Sequence, residues 1–124
     1  MSLPETVRQA WENREGPIIF TTVDKTGQPN AIYATCVKMT ASDTVVVADN
    51  FFNKTRANIL SSPQGSVLFI TTEGKSFQLK GNIVYHKKGS VYDEMKQWNP
   101  EKLPGNAAAE LIVESVYSGA EQLA

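Results

Sequence analysis

The chain is poor in the residue types that announce common chemistries. It has one Cys and one His in 124 residues, which excludes an intramolecular disulfide and leaves no cluster of soft metal ligands to expect. No stretch approaches the roughly 20 consecutive apolar residues that cross a bilayer. The N-terminus carries Glu5 and Glu12 where a targeting leader would place a basic segment followed by an apolar one. Charge of one sign is lacking too, since 12 basic and 13 acidic residues leave a formal net charge of -1. Lys87-Lys88 is the only adjacent basic pair, so a nucleic-acid groove has no electrostatic footing. No Gly-x-Gly-x-x-Gly fingerprint is present, and with it goes a Rossmann-type dinucleotide site. These absences point to a reducing, cytoplasmic setting with neither a membrane nor a nucleic acid as partner.

What is present suits one globular domain over residues 1-124, with 41% hydrophobic and 20% charged residues. Pro4 to Glu15 sets Val7, Ala10 and Trp11 at helical spacing, with Gly16-Pro17 as a stop. Ile18 to Val23 is β-branched and aromatic, Asp24-Lys25-Thr26-Gly27 is turn chemistry, and a second extended run follows from Asn30 to Met39. In that run Ile32, Ala34 and Cys36 are expected on one face and Tyr33, Thr35 and Val37 on the other.

The apolar run Thr44 to Ala48 reads as a third strand, and Ser66 to Thr71 reads as a strand buried on both faces. Ser76 to His86 alternates, placing Phe77, Leu79, Ile83 and Tyr85 opposite Gln78, Lys80, Asn82 and His86, with Gly81 as a bulge or bend. Ser90-Val91-Tyr92-Asp93 resembles a capping box opening a helix that carries Tyr92, Met95 and Trp98, and Ala107 to Tyr117 reads as the last strand. Six strands in hairpins with inserted helices predict a mainly β fold, an antiparallel six-stranded barrel with small peripheral helices.

The most informative segment is Asn53-Lys54-Thr55, between the third strand and a short helix closed by Ser61-Ser62-Pro63. A strand that ends in a loop and feeds a helix offers unpaired amides and the positive end of the helix dipole, which together attract phosphate. Lys54 adds a charge, Thr55 a hydroxyl, Asn53 a cap for the first turn and Arg56 a second cation. The same residues also fit an ordinary helix cap with a solvated lysine. Cys36 reads as a small apolar residue in mid-strand, His86 as a surface or edge residue, and Trp11 and Trp98 as packing anchors.

With this order of elements around Asn53-Lys54-Thr55 and the following Asn58, nearly the whole chain resembles the flavin-binding split barrels related to pyridoxamine 5'-phosphate oxidase. It looks closest to the short stand-alone FMN-binding proteins. The resemblance implies a homodimer that holds FMN at its two-fold interface, with the phosphate on Lys54 and Thr55 and Asn58 completing the motif. The ring system would lie along Ile32, Tyr33, Ala34 and Thr35, with Phe51, Phe52 and Asn53 closing one side. Gln78, Lys80, Trp98 and the region near Leu123 would be supplied by the second subunit.

The implied function is flavin redox chemistry, as an electron carrier or a small oxidoreductase, with NAD(P)H or a protein as possible redox partner. No catalytic residue is assigned. Vitamin B6 oxidation is not expected, because the chain ends at Ala124 without the Arg- and His-bearing segment that holds that substrate. The alternatives are a non-catalytic FMN or deazaflavin binding module and a cofactor-free dimeric barrel whose interface is its function.

Overall fold

The computed structural model describes residues 1-124. Eight strands and three helices follow in the order α1 (Glu5–Glu12), β1 (Ile18–Val23), β2 (Pro29–Ala34), β3 (Val37–Met39), β4 (Val45–Asp49), α2 (Lys54–Ser61), β5 (Gln64–Ile70), β6 (Ser76–His86), α3 (Ser90–Trp98), β7 (Ala107–Ser118) and β8 (Glu121–Gln122). No helix is long and apolar enough to cross a membrane.

All strands join one antiparallel sheet in the order β2-β1-β5-β6-β7-β4-β3, with β8 added to β7. The two ends of that path, β2 and β3, are consecutive in the chain and separated only by Thr35 and Cys36. Seven strands laid flat would hold the ends about 29 Å apart, whereas the three residue steps from Ala34 to Val37 span at most about 11 Å. The sheet therefore curls until its edges are bridged by one continuous segment, which is the split barrel with peripheral helices expected from the sequence.

The strand number is corrected from six to eight. The expected second strand breaks at Thr35-Cys36 because its two halves pair with opposite ends of the sheet, and β8 is a two-residue return at the C-terminus. The break also shifts the side-chain alternation. Ile32, Ala34 and Val37 all pack against the barrel core, whereas Cys36 packs outside it with Val46, Ala48 and Met95.

The core is built from one face of each long strand, with Phe20, Val47, Val67, Leu79, Leu111 and Val116 at its centre. α1 adds Val7, Ala10 and Trp11, whose spacing the sequence displayed. Two glycines admit close backbone approach. A Cβ on Gly81 would lie 1.9 Å from the Ile112 carbonyl oxygen, at the point where the β6–β7 register shifts, and one on Gly65 would lie 2.7 Å from the Thr21 carbonyl oxygen.

β4 is buried along its whole length because α3 covers its outer face, Met95 seating on Val46, Ala48 and Ala108. β5 was expected to be buried on both faces and is not. Val67 and Phe69 face the core, while Leu68 is half-buried and Ile70 is 45% exposed on an outer face that no helix covers. The expected capping box of α3 is also absent, since Gly89 is the N-cap and no side chain caps the helix.

Candidate functional site

The bridging segment Thr35-Cys36 marks the site. Its two flanking strands diverge there, so the Cys36 carbonyl accepts from Ala48 N at 2.9 Å while the amides of Thr35 and Cys36 donate to no neighbouring backbone. A cavity of about 330 Å³ opens beside it, lined by Ile32–Cys36 on one side and by Ala48, Asn50, Phe51, Phe52 and Leu103 on the other. Six of the ten residues singled out in the sequence, Ile32, Tyr33, Ala34, Thr35, Phe51 and Phe52, thus meet around one mostly apolar space. Tyr33 and Phe51 stand at its rim, 75% and 77% exposed.

The other four, Asn53, Lys54, Thr55 and Asn58, follow directly at the start of α2. The first intrahelical bond runs from Ala57 N to Asn53 O at 3.1 Å, so the amides of Lys54, Thr55 and Arg56 lie ahead of the helix ladder. Asn53 was expected to cap them with its side chain and does not, because its backbone is turned to φ -133°, ψ -83°. No acidic residue occupies the first turn, and Lys54 is exposed with no ion pair.

Thr55 and Asn58 face the barrel. Asn30 Nδ2 donates to Thr55 Oγ1 at 3.2 Å and Asn58 Nδ2 donates to Thr22 Oγ1 at 3.1 Å, two polar ties that seat α2 against β1 and β2. Thr55 is 2% exposed and Asn58 8% exposed, so of the motif only Asn53 and Lys54 present side chains outward.

Arg56 is not a second free cation. Its guanidinium is forked onto Asp49, Nε to Oδ2 at 2.8 Å and Nη2 to Oδ1 at 3.1 Å, and Nε also donates to the Tyr85 hydroxyl at 3.1 Å. The Asp49 hydrogen bonds push the Arg56 pKa further above its ordinary value. Tyr85 is pushed up as well, first by burial and then by donating to Asp49. The sequence held a signal for this cluster that was missed, namely an acid closing an otherwise apolar strand, with a basic residue seven positions later.

Asn50 ties the cavity wall to the segment after α3. Its amide exchanges hydrogen bonds with Asn99, at 3.1 Å and 2.9 Å, and accepts from Gly105 N at 2.9 Å. Leu103, carried by the segment between those two partners, thereby reaches the cavity. This contribution had no local sequence signature.

The remaining candidates lie elsewhere. Trp98, the last residue of α3, packs against the Val46, Ala48, Met95 and Ala108 cluster and borders a shallow groove with Thr35–Lys38 and Pro100. Lys80 Nζ sits 5.0 Å from the centre of the Tyr117 ring, and Leu123 packs on the core. His86 is half-buried and joins Glu110 at 2.8 Å, and Glu110 also accepts from Thr44 at 2.8 Å. Cys36 lines the cavity at the strand break and is not a mid-strand residue.

A second apolar groove, of about 370 Å³, runs over the uncovered outer face of β1 and β5 and is lined by Ile19, Tyr33, Leu68 and Ile70. Tyr33 borders both spaces.

Comparison with known proteins agrees with this architecture. The family profile described as pyridoxamine 5'-phosphate oxidase matches residues 3–119. An uncharacterized protein of Methanocaldococcus jannaschii is 29% identical over 120 residues, covering 91% of this chain and 80% of its own. An FMN-binding protein of Syntrophomonas wolfei superposes with a TM-score of 0.76 at 16% identity, over 94% of this chain and 97% of the other. HutZ, the heme storage protein of Vibrio cholerae, superposes with a TM-score of 0.71 at 19% identity, over 95% of each chain. The chain belongs to the pyridoxamine 5'-phosphate oxidase family, and its fold is shared by proteins named for different ligands.

Proposed function

We propose that this member of the family is a single-domain flavoprotein that binds FMN between two copies of the chain. The observation that carries the reading is one of contiguity. Phe51 and Phe52, which wall an apolar cavity beside the free backbone donors of Thr35-Cys36, are followed directly in the chain by a helix start with an unpaired lysine. A planar ring with a polar edge suits the first part, and a phosphate suits the second. The residues present therefore fit FMN.

In this reading Ile32, Tyr33, Ala34 and Thr35 bear on the ring and the strand backbone answers its polar edge. Phe51 and Phe52 exclude water from one side, and Lys54 with the amides of the first turn holds the phosphate. Thr55 and Asn58 act by seating the helix, with the Thr55 hydroxyl proton still free to donate because Asn30 only fills one of its lone pairs. A bound flavin supplies redox chemistry, and the chain contributes binding, orientation and electrostatics. NAD(P)H or a protein would be the redox partner, and the cytoplasm the setting.

Support for the dimer comes from Tyr33, which borders both the cavity and the apolar groove on β1 and β5. A second copy seated on that groove would also cover the open rim of the cavity.

The test is an absorbance spectrum of the purified protein from about 300 to 550 nm with the released chromophore identified by mass. Flavin bands with the mass of FMN are expected. A Soret band, a deazaflavin mass, or a colourless protein that takes up no added FMN would each overturn the assignment.

A further inference from the structure

We propose that Asp49, Arg56 and Tyr85 form a positioning unit that sets the start of α2 for the phosphate end of the ligand. The proposal rests on the reading of Lys54 as the phosphate anchor. Asp49 is fully buried, and its carboxylate gathers three elements. Oδ1 accepts from Phe52 N at 3.0 Å and from Arg56 Nη2 at 3.1 Å. Oδ2 accepts from Arg56 Nε at 2.8 Å and from the Tyr85 hydroxyl on β6. Phe52 lies two positions before Lys54 and Arg56 two positions after it. The proposed anchor is therefore bracketed by two residues bonded to one buried carboxylate, which is itself tied to the barrel through Tyr85.

Stability alone is a weak reason for this arrangement, because burying the Asp49 carboxylate is costly and its partner Arg56 remains partly exposed to water. Direction is what it supplies, since a forked guanidinium and a planar carboxylate hold one relative orientation. The pairing also shapes the local field. With the charge of Arg56 answered by Asp49 and no acid in the first turn, Lys54 is the uncompensated cation at the helix start. The same carboxylate fixes the Phe52 amide, and with it the cavity wall on which the ring would rest. A small rotation of α2 would thus change the distance between the phosphate anchor and the ring cavity, and the Asp49 cluster is what resists it.

FMN and riboflavin differ only in the phosphate, so the ratio of their dissociation constants isolates the anchor from the cavity. Both ligands would be titrated by fluorescence quenching into the full chain, as parent, Lys54→Ala, Arg56→Lys and Tyr85→Phe. The parent is expected to prefer FMN, and Lys54→Ala to erase most of that preference. Arg56→Lys keeps the charge but loses the fork. It is expected to cut the preference about tenfold, the scale of one charge-assisted hydrogen bond, while riboflavin affinity stays within about twofold. Tyr85→Phe removes one donor to the Asp49 carboxylate but leaves the Arg56 fork in place; it is expected to cut the preference about threefold, and it decides the matter if Arg56→Lys does not fold.

An unchanged ratio in both variants would overturn the positioning role. So would equal weakening of the two ligands, which would mean that the cluster only stabilises the fold. A parent with no preference for FMN, or a Lys54→Ala variant that keeps it, would instead remove the anchor reading on which the proposal rests.

Discussion

β4 and β5 look alike in the sequence, as short apolar runs with Val at their centres, yet they end in opposite situations. β4 is buried on both faces because α3 lies across it, and it terminates in the buried Asp49 that holds the loop and α2. β5 is buried on one face only, and its outer residues Leu68 and Ile70 border an open apolar groove together with Ile19 and Tyr33. One strand supplies a wall of the candidate site, and the other an open groove that meets the site at Tyr33. An apolar strand pattern reports that a residue is suited to burial, and the rest of the fold decides whether the cover comes from the same chain or from another.

The comparison breaks most sharply under charge substitution. Val46→Asp forces a carboxylate beneath α3 and is expected to cost about 4 kcal/mol or more of folding stability, measurable by denaturant unfolding. Ile70→Asp on the open face is expected to leave the far-ultraviolet circular dichroism of the barrel unchanged while converting the proposed dimer to a single chain in size-exclusion with scattering detection. A loss of fold in the second variant, or none in the first, would reverse the assignment of covered and open faces.

On the β4 side, Lys54→Ala is expected to weaken FMN binding by about 1 to 3 kcal/mol, the range for a hydrogen bond to a charged group, without changing the thermal midpoint of the apoprotein. Calorimetric titration checks it, and equal affinity in parent and variant would remove the anchor.

Thr22→Val removes the acceptor that holds Asn58 and leaves a buried amide without its partner. A loss of about 1 to 3 kcal/mol in stability is expected, read by denaturant unfolding.

The smallest effect concerns pH. The folded chain holds the Tyr85 proton more tightly than the unfolded chain does. The stability that this contributes is fully present below the ordinary tyrosine value, and it is lost as pH rises from about 10 through the higher folded value. Unfolding measured between about pH 9 and 11 should show a downward slope that Tyr85→Phe reduces. An identical slope in the variant would mean that other groups carry it.

Much of the site was legible before the structure, for reasons that are local. The turn at Asp24 was marked by residue type, and Asp24 Oδ1 accepts from the amides of Thr26 and Gln28 at 2.8 Å and 2.9 Å. Apolar alternation gave the inner face of β6, including the irregularity at Gly81. The motif at residues 53–55 pointed to the start of α2, and the family resemblance led from there to Ile32–Thr35. Other features were misread because distant residues decide them. Arg56 reads from the sequence as a second cation, and Asp49 and Tyr85, the latter 29 positions away, engage it in the fold. The second strand reads as unbroken because nothing in Thr35-Cys36 reveals that its halves lie at opposite ends of the sheet.

The amino-acid order alone marked the three helices, the apolar runs that become the long barrel strands, the near-neutral charge and the lysine at a helix start. Those properties depend on residues close along the chain, where side-chain period and turn chemistry act directly. Only the tertiary structure decided that the sheet closes through Thr35-Cys36, that β4 is covered and β5 is not, and that Arg56 is neutralised while Lys54 is left free. Each of these turns on which distant groups arrive side by side, and burial, pairing and exposure are defined only once they have done so.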